Sequence, residues 1–353
     1  MSEKILTISV AAYNIEKTIC KCIDSVLDSD CKDDIEILII DDGSSDGTAD
    51  IAGEYEKKYP DTIRLICKEN GGHGSTINTG IKEAKGSYFR PLDGDDWLKT
   101  DNIDNFVSRL KKESSDIILC NYESHYGKGC VKVTDYTGLK DNEKYCFEEI
   151  VKYVDWMNYH SLTYKTDILK KNNINIDEHC FYVDTELISF PIPFVDNISY
   201  YDMELYCYRR DDESQSVSSS SRMKHISDSK KVAIRLLRFL RKNERSLTTS
   251  KRKYLIGIIA GHCLWHFKGL MLFSPDKERY RDLILFERYI KRMSPEVFEI
   301  MPVESSNRMH PDVDIVKYLR RFNYKPYFMY GAFSKMKQGA KHMIGMVSKT
   351  RKV

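Results

Sequence analysis

The chain has 353 residues, enough for two domains and a sizeable core, and its 55 Lys and Arg nearly balance 53 Asp and Glu. That balance excludes the strong positive field of a nucleic-acid binder, and no apolar run is long enough for a bilayer span or a signal peptide. The ten cysteines lie singly, apart from Cys20 and Cys22 on a predicted helix, with no Cys-x-x-Cys or zinc spacing, which points to reduced thiols in a cytosolic protein.

The first predicted element is a short, nearly continuous apolar strand, Ile5 to Ala11, ending in Ala12-Tyr13-Asn14. Ile19, Cys22, Ile23, Val26 and Leu27 then share one face of a helix. A second strand, Ile35 to Ile40, runs into Asp41-Asp42-Gly43-Ser44-Ser45-Asp46-Gly47, where Ser45 or Asp46 suits a helix N-cap. Capping leaves Asp41 and Asp42 unexplained. Ile51, Ala52, Tyr55 and Tyr59 mark the next helix, and Ile63 to Cys67 a third, weaker strand. Ile77, Gly80, Ile81 and Ala84 mark another helix before a fourth strand, Tyr88 to Leu92. This alternation predicts a mostly parallel, doubly wound α/β sheet whose ligands bind beyond the carboxyl ends of the strands.

The fourth strand ends in Asp93-Gly94-Asp95-Asp96. Three carboxylates in four residues repel one another and are costly to bury unpaired, so they want either solvent or a divalent cation. Hard oxygen donors suit Mg²⁺ or Mn²⁺, which fill their remaining positions with phosphate oxygens and water. With the tips of the first two strands, these acids define one polar rim.

The string Ile39-Ile40-Asp41-Asp42-Gly43-Ser44-Ser45-Asp46-Gly47-Thr48 resembles the second-strand motif of family 2 glycosyltransferases of the GT-A fold. Asn70-Gly71-Gly72-His73-Gly74-Ser75-Thr76-Ile77-Asn78-Thr79-Gly80 is similar to their next motif, and Asp93-Gly94-Asp95-Asp96 to their acidic signature. The match covers roughly residues 5 to 98 and continues more loosely to about 218. It implies a nucleotide-diphosphate sugar donor, with a UDP-sugar as the expectation. Asp42 would take a base N–H, Tyr13 would stack on the base, and Asn78, within the third motif, would line the nucleotide site. Asp93 would hold the ribose or assist the metal, and Asp95 would ligate Mn²⁺ or Mg²⁺ on the diphosphate. The family commonly has Arg where Ile77 stands, so that cationic contact is missing or comes from Lys68 or His73.

In the family an acidic pair begins the acceptor-side helix, and its second member is the base. Here the pair reads Val183-Asp184, which makes Asp184 the base and Glu186 the reserve. Leu205-Tyr206-Cys207-Tyr208-Arg209-Arg210 and the following Ser-rich loop resemble the segment that closes over the donor diphosphate, through Arg209 and Ser216.

Beyond that loop the chain turns helical and basic, with Val232 to Leu240 and Leu255 to Leu272 as clear apolar helices. The expected division is a catalytic domain at 1–221, with donor and acceptor halves meeting near 98, and a helical domain at 222–353. His262 and His266 are four apart on a predicted helix without a third ligand nearby, which reads as packing. After Asp314 the chain has no acid and ten basic residues, and Phe333, Met336, Ala340, Met343 and Val347 share one helical face. That pattern suits either an anionic membrane surface or a helix docked on its own domain.

Together these features imply a metal-dependent, inverting glycosyltransferase that acts on a hydroxyl of a glycan or lipid-linked acceptor. The enzyme would be cytoplasmic, either free or peripheral on the inner face of the plasma membrane. A degenerate sugar-nucleotide or glycan-binding module is one alternative. A sugar-phosphate nucleotidyltransferase is another, though it would want a Gly-rich, basic loop where Ala11-Ala12-Tyr13-Asn14 stands.

Overall fold

The computed structural model describes residues 4–127, 129–133, 136–210, 219–270, 277–308 and 320. The chain forms two compact units, Met1–Glu213 with Arg245–Tyr254, and Ser214–Glu244 with Leu255–Val353.

The first unit is a mixed α/β fold. Its opening part alternates β1 (Leu6–Ala12), α1 (Ile19–Leu27), β2 (Ile35–Asp41), α2 (Thr48–Lys58), β3 (Ile63–Cys67), α3 (His73–Glu83) and β4 (Tyr88–Asp93). The four strands pair in parallel in the order β3-β2-β1-β4. Every residue of β2 is buried, as its unbroken apolar run requires. Register fixes the rim: Ala12 lies beside Asp41, Asp41 beside Cys67, and Ala11 beside Asp93. Three polar tips, read from distant parts of the sequence, therefore stand side by side.

The later part is less regular. After β5 (Trp97–Leu98) and α4 (Thr100–Leu110), the hairpin β6 (Ile117–Tyr126) and β7 (Gly129–Val133) leads to β8 (Glu143–Cys146), α5 (Phe147–Ile150), β9 (Leu162–Lys165), α6 (Thr166–Lys171), α7 (Asp184–Ser189) and β10 (Asn197–Arg209). β9 joins the sheet antiparallel between β4 and β6, and β10 runs parallel to β6. One buried cation sets this junction. Arg90 on β4 is fully enclosed and donates to Thr163 Oγ1 at 2.8 Å and to the His160 carbonyl at 2.7 Å. It thereby ties the segment before β9 to the strand that carries the rim acids. Arg245–Tyr254 completes the unit: the Met157 N–H donates to the Tyr254 hydroxyl at 3.0 Å, and Tyr254 meets Phe147 edge-on.

The second unit is helical, with α8 (Ser219–Lys224), α9 (Ile226–Asn243), the part of α10 (Thr249–Leu270) beyond Tyr254, α11 (Lys277–Met293) and α12 (Pro295–Arg308). Leu236, Leu237, Ile259, Phe267 and Phe286 are among its buried side chains. His266 Nδ1 lies 2.7 Å from Ser229 Oγ and His262 Nε2 lies 3.0 Å from the Ser229 carbonyl. The pair is part of the helix packing, as its spacing suggested. Among the described residues no helix is long and apolar enough to cross a membrane. Apart from Arg320, the basic tail from Lys317 to Val353 lies outside the described residues.

Candidate active site

The tips of β1 and β2 are fastened to each other. Asn14 adopts a left-handed conformation at φ 52°, which a short amide side chain tolerates, and its Oδ1 accepts from the Ser45 N–H at 2.8 Å. Its own N–H donates to Ser44 Oγ at 3.0 Å. Tyr13, just before it, leaves its ring 51% exposed on the rim, free to present a face to a ligand.

Asp42 sits differently from expectation. It is 2% exposed, and its carboxylate accepts from Lys68 Nζ at 2.6 Å, Gly71 N at 2.9 Å, Gly72 N at 2.8 Å and Ser75 Oγ at 3.1 Å. A buried carboxylate with four donors is a structural anchor. Here it holds the turn that launches α3. Lys68, one of two candidate cations, is engaged in that anchor. Asn78, expected at the nucleotide, uses both amide donors on the Ile176 carbonyl (2.9 Å) and Glu178 (3.0 Å), and accepts the Ile176 N–H at 2.8 Å. It straps α3 to the segment leading to α7. Gly74 belongs to the same contact, since a Cβ there would collide with the Asp177 carbonyl.

The acids after β4 divide by role. Asp96 is buried and accepts from the Tyr206 hydroxyl at 2.6 Å and the Arg209 N–H at 2.7 Å. Burial first, then the charges of Asp93 and Asp95, push its carboxyl up to about 9. Asp93 and Asp95 are more open, with side chains 28% and 32% exposed. Arg209 lies across Asp95, donating to its carbonyl at 3.1 Å and its Oδ2 at 3.3 Å. Asp93, Asp96 and His160 bring one donor atom each within 4.8 Å of one another. Asp96 already accepts one hydrogen bond at each oxygen, and the more exposed oxygens on this rim are those of Asp93 and Asp95. This donor set, crowded with negative charge, fits Mg²⁺ or Mn²⁺.

His73, one of the two cations the motif offered, gains a partner that the sequence did not suggest, and His160 was not singled out at all. His73, at the start of α3, places Nε2 3.5 Å from Asp184 and 3.8 Å from Asp93. Burial opposes its charge, but the hydrogen bond to Asp184 and the fields of Asp93 and Asp184 raise it to about 9. The same contact, working against burial, lowers Asp184. The result is an ion pair at the rim, with Asp184 about half exposed at 49%. Asp93 is raised to about 6 by burial and by Asp95 and Asp184, against the opposing pull of His73. His160 has the opposite state: burial lowers it to about 4, and its ring stacks on Tyr208 at 4.3 Å. Only distance, not sequence spacing, reveals either environment.

Glu186 is fully buried and accepts the Asp177 N–H at 2.8 Å, so it fixes the α7 approach, while Asp184 faces the rim. Ser216 lies outside the described residues.

Three comparisons bear on this arrangement. The family described as "Glycosyl transferase family 2" matches residues 7–183, half of the chain. The putative glycosyltransferase EpsH of Bacillus subtilis is 29% identical over 219 residues, covering 59% of this chain and 62% of that protein. The poly(ribitol-phosphate) beta-glucosyltransferase of Bacillus spizizenii is 29% identical over 222 residues, 60% of this chain and 34% of that one. The chain thus spans less than two thirds of these relatives' length. Residues 1–349 of S. aureus TarS, crystallised in complex with UDP-GlcNAc, superpose with a TM-score of 0.65 over 95% of this chain and 92% of that one, at 19% identity. That likeness establishes a common GT-A fold.

Proposed function

We infer that this chain, which belongs to glycosyl transferase family 2, is a metal-dependent inverting glycosyltransferase. It moves a sugar from a nucleotide-diphosphate donor, a UDP-sugar in our reading, to a hydroxyl of a glycan or lipid-linked acceptor. The observation that carries the proposal is the single rim where Asp93, Asp95 and Arg209 face the His73–Asp184 ion pair.

In this reading Tyr13 stacks on the base, and Asp42 acts chiefly by shaping the Gly71–Gly72 turn beside it. Arg209 and protonated His73 supply positive charge for the diphosphate, so His73, rather than the engaged Lys68, replaces the family's arginine. A Mn²⁺ or Mg²⁺ ion held by Asp95 with Asp93 would neutralise charge on the departing nucleotide. Asp184 is the base. Its depressed carboxyl is ionised at neutral pH, and it takes the proton as the acceptor oxygen bonds to the anomeric carbon. The bond from that carbon to the diphosphate oxygen breaks, its electron pair leaves with the nucleotide, and one displacement inverts the centre. The ion pair with His73 keeps Asp184 ionised and held at the rim, although it also lowers the basicity of the carboxylate.

The name of the B. spizizenii relative supports a glycan-type acceptor. We further propose a cytoplasmic enzyme whose basic tail meets anionic lipid. Full-length protein should then co-sediment with anionic vesicles and be partly released by salt, and pelleting equally with neutral vesicles would refute this.

The function is tested by incubating full-length protein with a panel of nucleotide sugars and Mn²⁺ and measuring released nucleoside diphosphate. Release from a UDP-sugar that chelation abolishes is the expected result. No release from any donor, with an acceptor hydroxyl present, would count for the binding-module alternative.

A further inference from the structure

Away from the rim, three strands deliver four metal-ligand side chains to one face of the sheet. Glu123 and His125 are two apart on β6 and therefore point the same way. In the sheet register Cys207 of β10 lies opposite Glu123, and Cys130 of β7 lies opposite His125. Directly opposed residues share a face. His125 Nε2 is 3.1 Å from Glu123 Oε2 and 3.7 Å from Cys130 Sγ, and Cys207 Sγ is 3.8 Å from Glu123 Oε2.

We propose that Glu123, His125, Cys130 and Cys207 form a tetrahedral Zn²⁺ site. Zinc bonds of roughly 2.0–2.3 Å place neighbouring ligand atoms roughly 3.3–3.8 Å apart. The ligand atoms of Glu123, His125 and Cys207 already lie within 4.8 Å of one another. Cys130, 3.7 Å from His125 but outside that group, would turn toward the ion to complete the tetrahedron. Two sulfurs, one imidazole nitrogen and one carboxylate oxygen make a borderline-soft set that favours zinc over Mg²⁺ or Mn²⁺. The charges close as well. Two thiolates and one carboxylate leave the occupied site at −1, and Lys99, whose Nζ lies 2.6 Å from the other oxygen of Glu123, offsets it. Binding releases both thiol protons to solvent. The indole of Trp97 packs on the His125 ring at 4.7 Å and limits its rotation. Cys130 is exposed, which leaves a path for the ion, whereas Cys207 is 2% exposed.

Occupied, the site would staple the β6–β7 hairpin to β10 two residues before Arg209. None of its ligands is among the rim residues, and it does not depend on the transferase reading.

The test uses full-length protein stripped with chelator and titrated with Zn²⁺ against a chromophoric competitor, with Co²⁺ as a spectroscopic substitute. We expect one tight equivalent, a thiolate-to-cobalt charge-transfer band, and binding at least ~10²-fold weaker in Cys130→Ser and Cys207→Ser. Cys20→Ser, an exposed cysteine elsewhere, should bind like the parent. Circular dichroism checks folding, and if the buried Cys207 variant unfolds, Cys130→Ser decides alone. Absence of a thiolate band, or an unchanged band and affinity in Cys130→Ser, overturns the proposal.

Discussion

The two halves of the sheet unit place their functional side chains in different ways. From β1 to β4 they come as short strings at strand ends, and parallel register aligns the strings. From β5 to β10 they come as single residues whose neighbours are set by pairing across strands. Glu123 and Cys207 lie 84 residues apart yet face each other, as do His73 and Asp184, which join the halves. The lesson is that strings reveal chemistry when a loop supplies several ligands, while register conceals it when each strand supplies one.

The largest expected effect tests whether one isolated residue of the second half acts at the rim. Asp184→Asn should lower turnover by about 10²–10⁴-fold with donor affinity nearly unchanged. Glu186→Gln should instead lower stability, because its carboxylate is buried on the Asp177 N–H. If the two variants exchange phenotypes in steady-state kinetics and denaturant melts, the geometry of α7 has been misread.

Arg209→Ala comes next, since it removes the cation that β10 brings to the acids of β4. A hydrogen bond to a charged group is worth about 1.5–3 kcal/mol, so UDP affinity should fall roughly tenfold to a hundredfold. Unchanged affinity by calorimetry would leave the second half without a donor-side role.

A motif glycine should prove to belong to both halves. Gly74→Ala sets a methyl group against the Asp177 carbonyl and should cost about 1–3 kcal/mol in urea unfolding. A neutral result would mean the strap from α3 to α7 is loose.

The smallest effect lies in acid. Burial alone would raise Glu113, but the N–H groups of Ser115 and Ser114 and the Tyr201 hydroxyl lower it to about 2. A depressed folded value means stability is present above the ordinary glutamate range and is lost as pH falls from about 4.5 toward 2. Glu113→Gln should flatten that part of the stability profile. An identical acid limb in both proteins would show the carboxylate is not held this way.

The strands β1 to β4, their helices and the rim acids were legible because each is a local pattern: an apolar run, a repeating face, a carboxylate cluster after a strand. Asp184 was singled out only through family likeness, and its role as base is a proposal. Other assignments did not carry over directly. Asp42 and Asn78 were read as ligand contacts, but a motif does not reveal that four donors surround one carboxylate or that one amide bridges to residues 176–178. Arg90 sits in the predicted strand Tyr88 to Leu92, directly before the acidic string, and still gave no hint that it anchors the His160 segment, since its partners lie about 70 residues away. The charge states of His73 and His160 come from burial and neighbours, which spacing does not encode.

The central claim is that the rim binds a nucleoside diphosphate through a cation held by Asp95. Calorimetric titration of UDP into full-length protein, with and without Mn²⁺, in parent and Asp95→Ala, tests it most directly. Mn²⁺-dependent binding to the parent is expected, at least about tenfold weaker in the variant, with the fold unchanged because Asp95 stands at a loop tip. Equal UDP affinity in both proteins, or affinity indifferent to Mn²⁺, would contradict it.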